Sequence, residues 1–439
     1  MSKSFRPWDV DQVWLLPPSV QDLVPPGHVA HFVRDTVREG LDLTAILSSY
    51  EEERGHPPYH PGMMTALLLY AYSQGVYSSR RIARACEERL DFAAVTGMQR
   101  PDFRTVSDFR KRHLGALKGL FLQVLRLCRE AGLVTLGHVA LDGTKIKANA
   151  SKHKAMSYGR MVEAEPKLAA EVGRWFDEAG KTDRAEDREH GTERRGDEMP
   201  GWVASKQTRL QKIGEAKAAL EAEARAARAA REEKPERKDN GPTATPPDKA
   251  QRNFTDPASR IMKTKDGFIQ GFNAQVAVDA TAQVIVARTL TNQASDSPHL
   301  QGLVDQIAAN TEAEPAQLSA DAGYCSEDNL AALQRRKIDA FIATGRQKHG
   351  APSPAKRPAK PDSLVAAMAE KLRAAGREGP YRLRKQLPEP VFGQIKQARG
   401  FRQFLLRGLD NVEAEWSLIC TVHNLLKLAS HQRRQLAMA

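Results

Sequence analysis

The stretch GHVALDGTKIKAN, residues 137–149, places an acid directly after a short apolar run. Val139, Ala140 and Leu141 predict a buried strand, and Asp142 follows them. Asp-Gly is also a strong turn signal, so Asp142 could simply end a strand in a hairpin. Two interpretations of Asp142 therefore compete, a turn residue and a functional carboxylate at a strand end. Other segments of the sequence have to decide between them.

The composition predicts a basic protein with a sizeable core. The chain has 439 residues, a length that suits two or three domains, and 41% of them are hydrophobic. A net charge of +12 favours a polyanionic partner, of which nucleic acid is the commonest, although a merely basic surface would look the same. No apolar run is long enough to span a bilayer, and the N-terminus lacks the pattern of a secretory signal. We therefore expect a cytoplasmic protein with no membrane contact.

Residues 1–132 read mostly as helix and form the predicted N-terminal domain. Helical periodicity extends from Met63 to Gly97 on both sides of a short break, and Ser78 or Ser79 would cap the helix after the break. One further long helix is predicted to follow Thr105.

Basic residues gather on these helices. Arg80 and Arg81 lie in the first turn of the capped helix, and Arg110 lies in a basic cluster of the next one. Arginines at the starts of short helices suit contacts with DNA phosphates, as in a helix-turn-helix. A helical bundle with a solvated basic face fits equally well, so both interpretations stay open.

A long polar segment, residues 151–250, interrupts the strand-containing core that is predicted to comprise residues 133–150 and 251–430. Apolar residues recur at near-heptad spacing between Lys206 and Glu232, which predicts a helical hairpin arm or coiled coil. The arm could contact DNA, mediate dimerisation or act only as an exposed spacer. The charged, Pro-rich residues that follow predict a flexible linker.

Strands return after Arg260 as a β-meander with turns at residues 265–267 and 279–281. A helix follows, and then a second mostly apolar run ends at Asp321. A helical crossover commonly returns to a parallel strand. The strand that ends at Asp321 could therefore lie beside the strand that ends at Asp142.

Two carboxylates at one sheet edge would repel, and each would raise the pKa of the other. A divalent cation removes that cost, and Mg²⁺ prefers carboxylate and water oxygens. Glu389 is the best third candidate, because Pro390 suits a first helical position and Lys396 lies two turns further along the same face. The alternatives are two separate turn residues and a glutamate favoured by the helix dipole.

Basic residues surround the third acid and could hold a DNA backbone against metal ions, although a solvated basic face would look similar. They are Arg382, Arg384, Lys385, Lys396, Arg399, Arg402 and Arg407. Two metals held by three carboxylates form a phosphoryl-transfer site. One metal activates a water or a 3′-hydroxyl, and the other stabilises the leaving oxygen.

The chain resembles an insertion-sequence DDE transposase over most of its length. The segments that carry the resemblance, in chain order, are YHPGMMTALLLYAYSQGVYSSRRI, PDFRTVSDFRKRH, ALDGTKIKANAS, TDPASRIMKTKDGFIQGFNAQ, SADAGYCSEDNL and EPVFGQIKQARGFRQFLLRGLDNVEAEWSLICTVHNLLKL. The resemblance implies an α/β fold with a ribonuclease-H-like mixed sheet core, a helical N-terminal domain and a helical insertion in the core.

The resemblance also implies site residues and cofactors. The implied catalytic and metal-binding acids, which would hold two Mg²⁺ or Mn²⁺ ions, are Asp142, Asp321 and Glu389. A Tyr-Arg-Glu-Lys signature is implied at Tyr381, Arg384, Glu389 and Lys396. Four residues separate Arg384 from Glu389 where the family pattern has three, so Lys385 is an alternative to Arg384. Tyr324 is expected to be a packing residue rather than a nucleophile.

The family reaction is metal-dependent hydrolysis at transposon ends, followed by attack of the freed 3′-hydroxyl on target DNA. The implied partners are double-stranded DNA, as terminal inverted repeats and as target, and further copies of the chain that form a homo-oligomer on paired ends. The implied location is nucleoid-associated. The residues predicted to support DNA binding are Tyr381, Arg384, Lys396, Arg402, Arg407, Arg80, Arg81 and Arg110. The competing classes are a DNA-binding regulator without catalysis and a metal-dependent nuclease that cuts without joining.

Overall fold

The structure is a computed structural model that describes residues 19–22, 24–50, 57–190, 201–232, 245–264, 266–345, 362–376 and 378–438. The α-helices in these ranges are α1 (Val29–Asp35), α2 (Thr44–Leu47), α3 (Pro61–Ser73), α4 (Ser79–Glu88), α5 (Leu90–Thr96), α6 (Phe103–Arg112), α7 (Leu114–Glu130), α8 (Tyr158–His190), α9 (Gly201–Glu232), α10 (Leu300–Thr311), α11 (Glu327–Arg335), α12 (Leu364–Ala375), α13 (Leu383–Gln386), α14 (Pro388–Gly393) and α15 (Leu409–Met438). The strands are β1 (His138–Lys147), β2 (Ala155–Ser157), β3 (Gln251–Asn253), β4 (Arg260–Thr264), β5 (Gly267–Asp279), β6 (Ile285–Thr291), β7 (Gln317–Ala320) and β8 (Asp339–Ile342).

Helix α3 is the central helix of the N-terminal half. Pro61 occupies its first position, and the ring of His60 accepts a hydrogen bond from the Gly62 N–H group. Every residue from Met64 to Ser73 is buried, as expected for a helix that is apolar on all sides. After the predicted break, Ser78 is the N-cap residue of α4, and its hydroxyl accepts a hydrogen bond from the Arg81 N–H in the first turn.

The prediction of one long helix after Thr105 is wrong. The chain forms α6 and α7, which meet at His113, where the backbone leaves the helical region (φ −104°, ψ 19°). The His113 ring is buried, packs on Phe109 and forms a 3.1 Å hydrogen bond with the Tyr50 hydroxyl. Helix α6 begins earlier than predicted because the Asp102 carboxylate accepts hydrogen bonds from its first turn.

Six strands form one mixed sheet. Strands β4 and β6 pair with different parts of β5, β5 pairs antiparallel with β1, and β1, β7 and β8 are parallel. Helix α10 connects β6 to β7, and α11 connects β7 to β8. The last parallel pair between β1 and β7 is Leu141 with Ala320. The predicted neighbourhood of Asp142 and Asp321 is therefore confirmed.

The prediction that β1 ends at Asp142 is wrong, and so is the alternative that Asp142 closes a hairpin. Strand β1 continues to Lys147 and is paired with β5 from Val139 to Lys147, with Asp142 opposite Val276. Strand β5 has 13 residues, so it pairs with β1 on both sides of the Asp142-Gly143 turn signal. Of the two predicted meander turns, the first includes Lys265, which lies outside the described residues, and the second follows Asp279.

One continuous apolar core joins the N-terminal helices to the sheet and to α15. Helix α15 contributes Trp416, whose indole N–H donates to the Gln275 carbonyl, and Asn424, which bonds both backbone groups of Ile285 at 2.8 Å. The polar side chains of α15 thus fix the helix to β5 and β6. None of the helices in the described ranges has an apolar stretch that is long enough to cross a membrane.

The segment between β1 and β4 has a second, smaller core of its own. Helices α8 and α9 pack on each other through Met161, Leu168, Ile213 and Leu220, which are all buried. Strands β2 and β3 pair at the base of these helices. This helical arm therefore packs mainly on itself rather than on the sheet.

Candidate active site

Asp142 and Asp321 lie side by side at the point where the parallel pairing of β1 and β7 ends. The backbone N–H of Gly143 donates a 2.8 Å hydrogen bond to Oδ1 of Asp142, and the N–H of Gly323 donates one of the same length to Oδ1 of Asp321. The backbone therefore holds one oxygen of each carboxylate. The other oxygen, Oδ2, is left for a different partner.

That partner is a single guanidinium group. Nη2 of Arg384 lies 3.4 Å from Oδ2 of Asp321 and 3.8 Å from Oδ2 of Asp142. The exposed fractions of the Arg384 and Asp142 side chains are only 17% and 13%. A shared cation relieves the repulsion between two close carboxylates. The space between the two acids is therefore a position that favours positive charge.

Burial raises the pKa of Asp142 to about 6. The Arg384 charge and the hydrogen bond from Gly143 lower it, and the negative charges of Asp321 and Asp296 raise it further. A multivalent cation would favour the ionised form of this carboxyl more strongly than a guanidinium does. Paired carboxylate oxygens are the hard donors that Mg²⁺ and Mn²⁺ bind, so Asp142 and Asp321 fit a divalent cation.

The segment that supplies Arg384 also brings Tyr381 close to the acids. Burial raises the pKa of the Tyr381 phenol, and the negative charges of Asp321 and Asp142 contribute to this rise. The sequence left open whether Arg384 or Lys385 takes the arginine position of the signature. In the structure Arg384 contacts both acids, whereas Lys385 is exposed.

Lys396 and Glu389, the remaining signature residues, are placed differently. The Lys396 ammonium donates to Oγ1 of Thr144 and, at 3.1 Å, to the carbonyl of Lys145, so it holds the π-helical turn after α14 against β1. Glu389 is exposed in the first turn of α14. Within the described ranges no three Asp, Glu, His or Cys side chains are grouped closely enough to hold a metal ion. The structure therefore brings Asp142 and Asp321 together without Glu389.

Sequence reasoning missed Asp296, which directly follows β6 and its short exit loop. Its Oδ1 accepts hydrogen bonds from Nδ2 of Asn273 at 2.7 Å and from Nε2 of Gln275 at 2.8 Å. Nζ of Lys145 lies 3.3 Å from the same oxygen. The available signal was a pair of polar residues, Asn273 and Gln275, spaced by two within the largely apolar run FNAQVAV, because side chains at that spacing share one face.

Arg110 is not on the surface where DNA would bind. Its side chain is buried, with 6% of the residue exposed, and Nη1 donates to the Tyr72 hydroxyl and to the Tyr77 carbonyl, both at 3.0 Å. A buried guanidinium with these partners is part of the protein interior. The prediction that Arg110 supports DNA binding is therefore wrong.

Of the other predicted basic residues, Arg80, Arg81, Arg402 and Arg407 are exposed, Arg384 and Lys396 are partly buried, and Arg399 is buried. Arg80 and Arg81 lie on α4, and the Arg80 guanidinium stacks 4.3 Å from the ring centre of Phe103. Arg402 bonds the Gln397 side chain, and Nε of Arg407 donates to the Asn149 carbonyl at 3.0 Å. Tyr324, as expected, is a packing residue that is fully buried. The exposed arginines are on surfaces that a nucleic acid could reach.

Comparison with known protein families matches two parts of the chain to transposase families. Residues 18–112 match the family described as Transposase domain (DUF772), and residues 242–425 match the Transposase DDE domain. The second range includes Asp296, Asp321 and Glu389, whereas β1 with Asp142 lies outside both. No curated protein and no solved structure matches the chain.

The mixed sheet and its paired acids, together with these matches, define a DNA transposase. The chain belongs to the insertion-sequence DDE transposases.

Proposed function

We propose that this chain cleaves transposon ends and joins the freed 3′-hydroxyl to target DNA, with Asp142, Asp321 and Glu389 as its metal-binding acids. The observation that carries the proposal is the pair of acids at the point where the parallel pairing of β1 and β7 ends, with one oxygen of each held by backbone N–H and the other facing a shared cation. The ribonuclease-H-like assignment of the core agrees with its strand arrangement, in which an antiparallel β5–β1 pair adjoins parallel β7 and β8.

Asp142 and Asp321 would hold the divalent cations, two Mg²⁺ or Mn²⁺ ions, in the position that Arg384 now faces. When bound, such ions activate a water or a 3′-hydroxyl and stabilise the leaving oxygen. Once displaced from the acids, the Arg384 side chain would bind a DNA phosphate beside Tyr381. Glu389 is the third acid of the proposal, and α14 would have to bring it toward the pair.

The proposed DNA contacts lie on two surfaces. Arg80 and Arg81 on α4 would bind the inverted repeat, and Arg402 and Arg407 would bind the backbone next to the acids, beside Lys396. Paired transposon ends require more than one protomer, so a homo-oligomer assembles on DNA. The proposal places the protein in the cytoplasm on the nucleoid. Residues 1–132 would form the helical DNA-binding domain. Residues 133–150 and 251–430 would form the catalytic core, with residues 151–250 as an insertion in it.

The test is metal-dependent cleavage and joining of a labelled duplex that carries the DNA flanking this gene. We would compare the wild type with Asp142→Asn, Asp321→Asn and Glu389→Gln, with and without Mg²⁺ or Mn²⁺. Each variant should lose about a thousandfold or more in rate, because several kcal/mol of transition-state stabilisation depends on the metals. The matched control is Asp339→Asn, an exposed acid on β8 that pairs with Lys371 and should keep full activity.

The possible outcomes separate the classes of function. Joined products from the wild type alone support the transposase. Cleavage without joining would identify a nuclease, and binding to the flanking DNA without cleavage would identify a DNA-binding regulator. If Glu389→Gln alone stays active, the third acid lies elsewhere in the chain.

A further inference from the structure

Asp296 is the centre of a polar cluster formed with Lys145, Asn273 and Gln275, called here the Asp296 cluster. Three donors converge on its Oδ1 oxygen, from Asn273 and Gln275 of β5 and from Lys145 of β1. The Lys145 ammonium also donates to the Ala294 carbonyl at 3.0 Å, which ties the loop before Asp296 to β1. The cluster therefore joins two strands of the sheet to the loop that follows a third.

The Asp296 carboxylate lies against the two glycines that hold the catalytic acids. A Cβ atom on Gly143 would lie 3.0 Å from Oδ1 of Asp296, and a Cβ atom on Gly323 would lie 3.0 Å from Oδ2. Real Cβ atoms rarely approach another atom so closely. Only glycine at both positions leaves the carboxylate this close to the backbone. The same two residues donate the N–H groups that fix Asp142 and Asp321.

A second link joins the loop after Asp296 to the turn after Asp321. Nδ2 of Asn329 donates to the Ser297 carbonyl and to the Tyr324 carbonyl, both at 2.8 Å. The segment Ala322–Tyr324 is thus held from two sides, by Asn329 and by contact with Asp296. These contacts restrict the backbone from which Gly323 donates to Asp321.

We propose that Asp296 is a positioning residue for the transposition reaction. It fixes the backbone of Gly143 and Gly323, and through them it orients Asp142 and Asp321 toward the metal ions. Its Oδ1 already accepts three donors, and no three acids in the described ranges are grouped closely enough to hold a metal ion, so we assign it the role of holding the backbone rather than binding metal. The inference rests on the proposed function, in which the two acids bind divalent cations.

The experiment measures Mn²⁺ binding by the full-length chain without DNA, by calorimetry or by the paramagnetic resonance of free Mn²⁺. Groups that orient metal ligands typically contribute about 10–100-fold to metal affinity. Asp296→Ala should therefore raise the Kd for Mn²⁺ by about 10–100-fold. Asp296→Asn keeps an acceptor oxygen for Asn273 and Gln275, so it should retain most of the affinity that Asp296→Ala loses.

Two further variants keep the test decisive. Asn273→Ala removes the shortest hydrogen bond to Asp296 and should raise the Kd even if Asp296→Ala fails to fold. Asp279→Asn is the matched control. Asp279 is a hydrogen-bonded carboxylate like Asp296, but it is fully buried, accepts two backbone N–H bonds and lies at the far end of β5. It should lower the unfolding temperature and leave the Kd unchanged.

The inference is overturned if Asp296→Ala binds Mn²⁺ as the wild type does. It is also overturned if Asp296→Asn loses as much affinity as Asp296→Ala, since the charge itself would then be what matters. If the wild type binds no Mn²⁺, or if Asp142→Asn binds it equally well, the proposed metal function fails, and that failure is distinct from the first two.

Discussion

Asp142 carries its charge in surroundings that disfavour it, and this has a measurable effect on stability. Its folded-state pKa of about 6 exceeds the reference value of 3.8, so the folded chain binds this proton more tightly than the unfolded chain does. The stability that the protonated carboxyl contributes is therefore fully present below about pH 4 and is lost as the pH rises through 6. At neutral pH the ionised carboxylate destabilises the metal-free fold.

Asp142→Asn should therefore stabilise the metal-free protein while it abolishes catalysis. Each pKa unit corresponds to about 1.4 kcal/mol, so the gain in unfolding free energy should approach about 3 kcal/mol at pH 8 and vanish near pH 4. Urea unfolding of both proteins across this pH range, with a chelator present, measures the difference. A variant that is less stable than the wild type at pH 8 would contradict this account.

At the level of secondary-structure elements, the sequence predicted the pairing of β1 and β7 because two apolar runs end in an acid and a helical segment separates them. The straight course of β1 through Asp142 and Gly143 could not be predicted in this way. Locally, Asp-Gly favours a turn, and only the long partner strand β5 overrides that preference. The break at His113 has only a weak local signal in Gly115, which itself lies inside α7, and the His113 ring is held by the distant Tyr50.

The Asp296 cluster and the position of Glu389 could not be predicted from the sequence either, because both depend on contacts between segments that are distant in the chain. The donors to Asp296 lie 21 or more residues away along the chain, and their convergence depends on the register of β1 with β5. The position of Glu389 depends on how α13 and α14 pack against β1, which no local pattern specifies. Helical periodicity indicates which face is buried but not the direction in which a short helix projects its acid.

Two arginines of the N-terminal helices, Arg81 and Arg110, should behave in opposite ways. Arg81→Ala removes an exposed charge, so the slope of log K against log[salt] for DNA binding should fall by about 0.9, with little change in stability. Arg110→Ala should leave that slope unchanged. It should lower the unfolding free energy by about 1–3 kcal/mol, because two buried acceptors lose their donor.

Filter binding at several salt concentrations and urea unfolding of the two variants measure these effects. A change in slope for Arg110→Ala, at equal folded fraction, would contradict its assignment to the interior. A stability loss for Arg81→Ala similar to that of Arg110→Ala would contradict the exposed position of Arg81.

At the level of the whole molecule, the described residues form two apolar cores. The larger one includes the N-terminal helices, the sheet and α15, and the smaller one lies within the helical arm. The arm leaves and rejoins the rest of the chain at one place. Ser157 pairs with Gln251, and the Tyr158 N–H donates to the Ala250 carbonyl at 2.7 Å. A chain that starts and ends an insertion at adjacent points can lose that insertion without stretching the remainder.

Replacing residues 158–250 by a two- to four-residue turn should therefore leave the larger core folded. Two paired strand ends such as β2 and β3 suit a connection of that length. The shortened protein should unfold cooperatively and bind Mn²⁺ with the affinity of the full-length chain. Unfolding would be monitored by circular dichroism. A loss of cooperativity in the shortened protein would show that the arm supports the sheet.

Helix α15 packs on α7, which lies far earlier in the chain, and this separation has consequences during protein synthesis. The Ser417 hydroxyl donates to the Lys118 carbonyl of α7 at 2.9 Å, and Cys128 contacts the Asn424 carbonyl, so partners almost 300 residues apart complete the interior. Helix α7 therefore leaves the ribosome long before the helix that covers it. A ribosome that stops before Leu409 would release a chain with exposed apolar residues on α7. Chaperones and proteases would bind such a product through its exposed apolar residues. A truncated copy of this transposase would therefore be degraded and would not compete for transposon ends.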